Sequence, residues 1–164
     1  MIVVTGGAGF IGSAIVWKLN QLGKKNIIIV DELGKDEKWK NLVGLRYEDF
    51  VNKLEFIEQV LDDVIPYNVE AIIHMGANSS TTEKDADHLL DNNYHYTKEL
   101  AKFCVEKNVR FIYASSAATY GDGSLGFDDD ESKLETLRPL NMYGYSKQLF
   151  DLWAKRNSIS DQIV

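Results

Sequence analysis

The sequence predicts an α/β fold built on a doubly wound parallel sheet, and three observations predict it. Apolar runs of strand length alternate with segments of helical period, the pattern of successive βαβ units. The first run leads directly into Thr5-Gly6-Gly7-Ala8-Gly9-Phe10-Ile11-Gly12, a glycine loop that opens a helix. The second run ends in a single carboxylate, Asp31. A length of 164 residues suits one such domain, over residues 1–164.

Each element follows from its own pattern. Residues 1–5 form a short apolar run and read as the first strand. Ile11, Ile15, Leu19 and Leu22 then recur at helical spacing, with Gly23 where a C-terminal glycine stop belongs. Residues 27–30 are continuously apolar, as in a strand buried on both faces, and end at Asp31. Leu54, Ile57, Val60, Leu61 and Val64 predict a helix over 53–65, closed by Pro66. A strand over 71–74, a long helix over 87–107, a strand over 110–114 and a helix over 143–156 complete the series. Gln162, Ile163 and Val164 look like the start of one more strand. No internal repeat, low-complexity tract or linker interrupts the chain.

Composition narrows the partners. A net charge of −7 and a pI near 4.9 argue against a nucleic-acid surface, which needs a basic patch. Any anionic nucleotide must be held by local donors. Cys104 is the single cysteine, so no internal disulfide is expected and a reducing compartment fits. The opening residues carry no basic flank and no cleavage-like site, and no apolar stretch approaches ~18 residues. The expectation is a cytoplasmic protein without a membrane span.

The glycine loop has the chemistry of a phosphate site. Glycine permits the tight turn, lets backbone approach a pyrophosphate and lets helix pack on strand, while the helix N-terminus points unpaired N–H groups at the anion. Read from Gly6, the glycines Gly6, Gly9 and Gly12 fit G-x-x-G-x-x-G; read from Gly7 they fit G-x-G-x-x-G. With Asp31 at ribose-binding distance along the chain, this is a Rossmann-like NAD(P) site. Asp31 alone favours NAD, whereas Lys35, Lys38 and Lys53 could neutralise a 2′-phosphate, so the choice between NAD and NADP stays open.

A second constellation lies on the last helix. Tyr143 and Lys147 are four residues apart and share a face. A free phenol titrates near ~10 and needs help to act as a base at neutrality. A cation about 4 Å away at an effective dielectric near 20 supplies roughly 4 kcal/mol. Ser116, at the end of a strand, adds a hydroxyl that could orient a substrate.

These residues resemble the extended short-chain dehydrogenase/reductase enzymes that act on nucleotide sugars. Within that superfamily the resemblance narrows to the ADP-L-glycero-D-manno-heptose 6-epimerases. It runs through Ala77-Asn78-Ser79-Ser80-Thr81-Thr82-Glu83, Asp91-Asn92-Asn93-Tyr94, the stretch from Tyr113 to Gly121, and Pro139-Leu140-Asn141-Met142-Tyr143-Gly144-Tyr145-Ser146-Lys147. The glycine loop and the Tyr-Lys pair mark only the superfamily; the Ser-Ser-Thr-Thr-Glu and Asp-Asn-Asn-Tyr strings mark the heptose enzymes. The resemblance implies cofactor contacts at Phe10, Ile11, Asp31, Glu32, Lys38, Lys53, Met75, Gly76, Ala77, Asn78, Ser79, Asn92 and Lys147. It implies Tyr143 as acid/base residue and Ser116 as the substrate-orienting hydroxyl. Two positions depart from the family pattern: Glu32 stands for an expected asparagine, which weakens the NADP case, and Met75 for a polar residue. Family members run to roughly twice this length, so the chain reads as an N-terminal portion truncated before the substrate-binding domain. The family's second acid/base residue, a lysine, lies beyond the point matching Val164.

The implied reaction is inversion of C6 in ADP-heptose by transient oxidation and re-reduction with bound NADP or NAD, the former slightly favoured by the resemblance. A homo-oligomer is also implied. Runner-up readings are a UDP-hexose 4-epimerase and a fragment that binds cofactor without turnover. Ala117 and Ala118 after Ser116 argue against a 4,6-dehydratase, which places acidic residues there. A nucleotide-sensing regulator of this fold would lack the Tyr-Lys pair. His74, His88 and His95 have no metal spacing, so no metal site is expected. Asp128-Asp129-Asp130-Glu131 reads as a solvated acidic loop, and Trp17, Trp39 and Trp153 as packing groups.

Overall fold

The computed structural model describes residues 1–159 and 163. The chain divides into two compact units: Met1–Gly76 with Glu99–Tyr113, and Ala77–Lys98 with Ala114–Val164.

The first unit is a five-stranded, wholly parallel sheet. Its strands are β1 (Ile2–Thr5), β2 (Ile27–Asp31), β3 (Asp49–Asn52), β4 (Ala71–His74) and β5 (Arg110–Tyr113), in the spatial order β3-β2-β1-β4-β5. Helix α1 (Phe10–Gln21) links β1 to β2, and α2 (Lys53–Leu61) follows β3. Alternate β-strand residues point to opposite faces, so a strand buried on both sides must be apolar throughout. Ile27, Ile28, Ile29 and Val30 meet that requirement and are fully buried. On one face Val4, Ile27 and Ile29 gather Ala8 and Val16 into a core cluster with Leu42.

The register aligns Thr5 with Val30 on one side and His74 on the other, and His74 with Tyr113. The strands on either side of β1 are reached in opposite chain directions, so the carboxyl ends of β1 and β4 flank a topological switch point, where open α/β sheets bind ligands.

Three elements differ from expectation. Strand β3 carries no signal that periodicity detects, because among Asp49, Phe50, Val51 and Asn52 only Val51 is buried. Helix α2 stops at Leu61: Asp62 ends it and Asp63 takes a left-handed conformation at φ 55°, so residues 62–65 leave the helix. The helix expected over 87–107 is α3 (Ala86–Leu89), a π-helical stretch (Leu90–His95) and α4 (Tyr96–Lys107). The strand expected around residues 162–164 falls outside the described residues, Ile163 excepted.

The second unit contains α3, the π stretch and α5 (Met142–Arg156), the last preceded by 3₁₀ turns at Ala117–Tyr120 and Glu131–Thr136. Asn141 caps α5 by accepting from Gly144 N at 2.8 Å. Buried Gln148 donates from Nε2 to the carbonyls of Leu134 and Leu137, which fastens the second 3₁₀ turn to α5. Among the described residues, no helix is long and apolar enough to cross a membrane.

Candidate active site

In the first unit the glycine loop closes over the switch point. Gly6 has φ 64°, and a Cβ there would stand 2.7 Å from the Gly76 nitrogen, so two backbones meet where neither position tolerates bulk. The Gly76 N–H donates to Thr5 Oγ1 at 3.1 Å, and Thr5 Oγ1 and His74 Nδ1 lie 2.6 Å apart, fixing the two strand ends to each other. A Cβ at Gly12 would come within 2.1 Å of the Gly6 oxygen, which is how the loop sits tight on the first turn of α1.

That helix start is open to an anion. Gly9 caps it without any side-chain bond, and no acidic residue lies in its first turn. By contrast, Asn52, Asp85 and Asn141 close the N-termini of α2, α3 and α5 with their own side chains. Phe10 and Ile11 are largely exposed beside the opening. An uncapped, acid-free helix start after a glycine turn is the donor set a pyrophosphate needs, so these residues fit the dinucleotide.

Asp31 organises the end of β2. Its Oδ2 accepts from Ala8 N at 2.9 Å, and its Oδ1 from Glu32 N at 2.7 Å and Lys38 Nζ at 2.9 Å. Lys53 Nζ lies 2.7 Å from Glu32 Oε2. Two of the three lysines singled out in the sequence therefore neutralise the two acids beside them, while Lys35 lies exposed.

In the second unit, Tyr143 is half-buried and Lys147 almost wholly buried on α5. Lys147 Nζ donates to the Ala114 carbonyl at 2.9 Å. Burial pushes its ammonium down to about 8, against the opposing pull of Asp151 one turn on. Ser116 caps the first 3₁₀ turn, its Oγ accepting from Ala118 N at 3.1 Å, which leaves its hydroxyl proton able to donate elsewhere. Gly144 brings that turn onto α5, since a Cβ there would lie 2.6 Å from the Ala118 oxygen.

A model of the NAD dependent epimerase/dehydratase family matches residues 2–160. The chain belongs to this family. The ADP-L-glycero-D-manno-heptose-6-epimerase of Nitratidesulfovibrio vulgaris (strain DP4) is 59% identical over 164 residues, all of this chain and 51% of that protein. The chain spans about half the length of the curated relatives it matches. Among solved structures, the Helicobacter pylori ADP-L-glycero-D-manno-heptose-6-epimerase superposes with a TM-score of 0.78 at 24% identity, over 95% of this chain and 50% of that one, a likeness of fold. A Thermotoga maritima UDP-glucose 4-epimerase, solved with UDP-glucose, gives 0.77 at 27% identity over 94% and 50%.

Within this family frame, the first unit gathers Gly6, Gly9, Phe10, Ile11, Gly12, Asp31, Glu32, Lys38, Lys53, Met75 and Gly76. The second gathers Ala77, Asn78, Ser79, Asn92, Ser116, Tyr143 and Lys147. One residue of evident weight stands in the Asp91-Asn92-Asn93-Tyr94 string without a role assigned from sequence. Asn93, fully buried in the π stretch, accepts from Asn78 N and donates to Asn78 O, each at 2.9 Å, and donates to Ser146 Oγ at 3.0 Å. Its signal was an amide on the buried stripe of a helix, where an apolar residue belongs. Trp17 and Trp39, expected to pack, stand about half exposed, whereas Trp153 tilts against Phe150. The acidic run is engaged locally: Asp128 pairs with Lys133, Asp129 accepts from Tyr120, and Asp130 caps the second 3₁₀ turn. Among the described residues, no three His, Cys, Asp or Glu side chains form a metal cluster.

Proposed function

We propose that this chain carries the cofactor-binding and acid/base portion of an epimerase that inverts C6 of the heptose in ADP-D-glycero-D-manno-heptose, a step in lipopolysaccharide core precursor synthesis. The observation that carries the reading is the 59% identity to a heptose 6-epimerase over every residue of the chain. A C–H bond bearing a hydroxyl is too weakly acidic to invert by proton abstraction alone. The bound dinucleotide supplies the missing chemistry, hydride removal and return with no net redox change.

The chain's own residues do the rest. The glycine loop and the start of α1 hold the pyrophosphate, and Asp31 the ribose. Tyr143 takes the proton of the C6 hydroxyl and gives it back, Lys147 beside it holds positive charge, and Ser116 donates to the substrate oxygen. The cofactor is NADP or NAD. NADP is favoured by the resemblance, and it is supported by Lys38 and Lys53, whose charges offset the acids that would repel a 2′-phosphate. The reading includes a homo-oligomer in the cytoplasm.

A second reading, a UDP-hexose 4-epimerase, has the comparable fold likeness of the Thermotoga maritima enzyme in its favour. Incubating a form of the protein as long as its relatives with ADP-D-glycero-D-manno-heptose and, separately, with UDP-galactose decides between them. Conversion of the heptose alone supports the proposal; conversion of UDP-galactose alone replaces it.

A further inference from the structure

Residues 114–118 run along one stripe of α5. The Ala114 carbonyl accepts from Lys147 Nζ at 2.9 Å, Ser115 Oγ donates to Asp151 Oδ2 at 2.7 Å, and the Ala118 oxygen packs over Gly144. Positions 144, 147 and 151 are three and four apart, so all three anchors lie on a single helix face. Ser116 sits between them, and the place of its hydroxyl depends on what holds its neighbours.

We propose that Asp151 is a positioning residue for the acid/base pair: it fixes the Ser115-Ser116 segment through the Ser115 hydroxyl and keeps the Lys147 ammonium charged from one helical turn away. The proposal rests on Tyr143 and Lys147 being that pair. Asp151 acts through its neighbours and takes no proton from substrate.

Burial and charge oppose each other at Lys147. Withdrawal from water lowers its ammonium to about 8, and Asp151 is the carboxylate that pulls the other way. The Tyr120 phenol on the 117–120 turn also feels the Asp151 carboxylate. Tyr120 is held up chiefly by its bond to Asp129, with Asp151 a lesser contributor. A further drop of about one pH unit, the lower end of what the loss of a nearby opposite charge brings, would leave about half of the lysine protonated at pH 7. The carboxylate therefore decides whether the ammonium survives its burial.

The test reads Lys147 directly. Its ¹³Cε resonance, assigned by its disappearance in Lys147→Arg, is titrated by NMR in the native 164-residue chain and in three variants. Asp151→Asn is expected to lower the midpoint by about one pH unit. Asp151→Glu is expected to restore most of it, and Ser115→Ala to leave it in place. If Asp151→Asn does not fold, Asp151→Ser takes its place with the same expected direction. An unchanged midpoint in the neutral variant, or an equal drop in Ser115→Ala, overturns the proposal. Because the midpoint is read without turnover, its failure leaves the Tyr143 reading standing. A fully active Tyr143→Phe removes that reading and the catalytic meaning of the pair, whatever the midpoint.

Discussion

Lys147 donates from Nζ to the carbonyl oxygen of Ala114 at 2.9 Å while only 3% of the residue meets water. A cation buried this deeply costs stability until it loses its proton, and the cost has a definite pH window. The folded ammonium titrates near 8 rather than the ordinary 10.5, so between these values the unfolded chain binds more protons and stability rises with pH. Below pH 8 both states are protonated and the full cost, roughly 3 kcal/mol, is present. Relative to Lys147→Met, the native chain should therefore gain up to about 3 kcal/mol between pH 7 and pH 10.5. Urea unfolding of both proteins at several pH values checks this; a difference that stays flat or falls with pH contradicts it.

The glycine loop makes a graded prediction. A Cβ at Gly12 meets the Gly6 oxygen at 2.1 Å, one at Gly9 only at 3.1 Å. Gly12→Ala should cost about 1–3 kcal/mol and weaken dinucleotide binding at least tenfold, with Gly9→Ala clearly milder on both counts. Thermal melts and calorimetric titration with NADP measure the two effects. Equal losses at the two positions would show that backbone clearance does not set the loop.

Asn93 should be costly to remove. Its amide satisfies both the N–H and the carbonyl of Asn78, and Asn93→Ala strands these two groups, while Ser146 Oγ keeps its bond to the Tyr143 carbonyl. At about 1–3 kcal/mol for each unsatisfied group, a loss of at least about 2 kcal/mol is expected by denaturant unfolding. A loss under about 1 kcal/mol would mean that water or a shifted backbone replaces the amide.

Cys104 is shut off from chemistry by the same physics that lowers Lys147. Burial pushes its thiol up to about 12, so almost no thiolate exists at pH 7.5. A disulfide reagent should label the folded chain only at the rate of global unfolding, and label it at once in denaturant. Fast labelling under native conditions contradicts the packing around α4.

The sheet was readable because β1, β2, β4 and β5 are apolar runs, and the parallel arrangement needs no other signal. Strand β3 was not readable, since it buries Val51 alone and exposes Asp49 and Asn52 at the sheet edge. Helical period carried residues 87–107 as helix, but a π turn preserves enough of that period to hide itself, and only Asn93 on its buried side marks it. The Tyr143 and Lys147 placement on one helix followed from their spacing. The pairing of Lys38 with Asp31 and of Lys53 with Glu32 did not, because it depends on how a loop and a strand bring distant positions together.

The proposed preference for NADP rests on those pairs. Lys38→Ala should weaken NADP binding by tenfold or more and change NAD binding far less, since a 2′-phosphate needs the cation and a 2′-hydroxyl does not. Dissociation constants for both dinucleotides measure it. Strong NAD preference in the native chain, indifferent to Lys38, would reverse the choice.

In the proposed reaction Tyr143 moves the proton while the cofactor is held by other residues. The most direct measurement is conversion of ADP-D-glycero-D-manno-heptose by a form as long as the relatives, native against Tyr143→Phe, with the NADP dissociation constant measured on both. Turnover should fall by at least about 10³-fold in Tyr143→Phe, with the dissociation constant unchanged within about twofold. Turnover within about tenfold of native would contradict it.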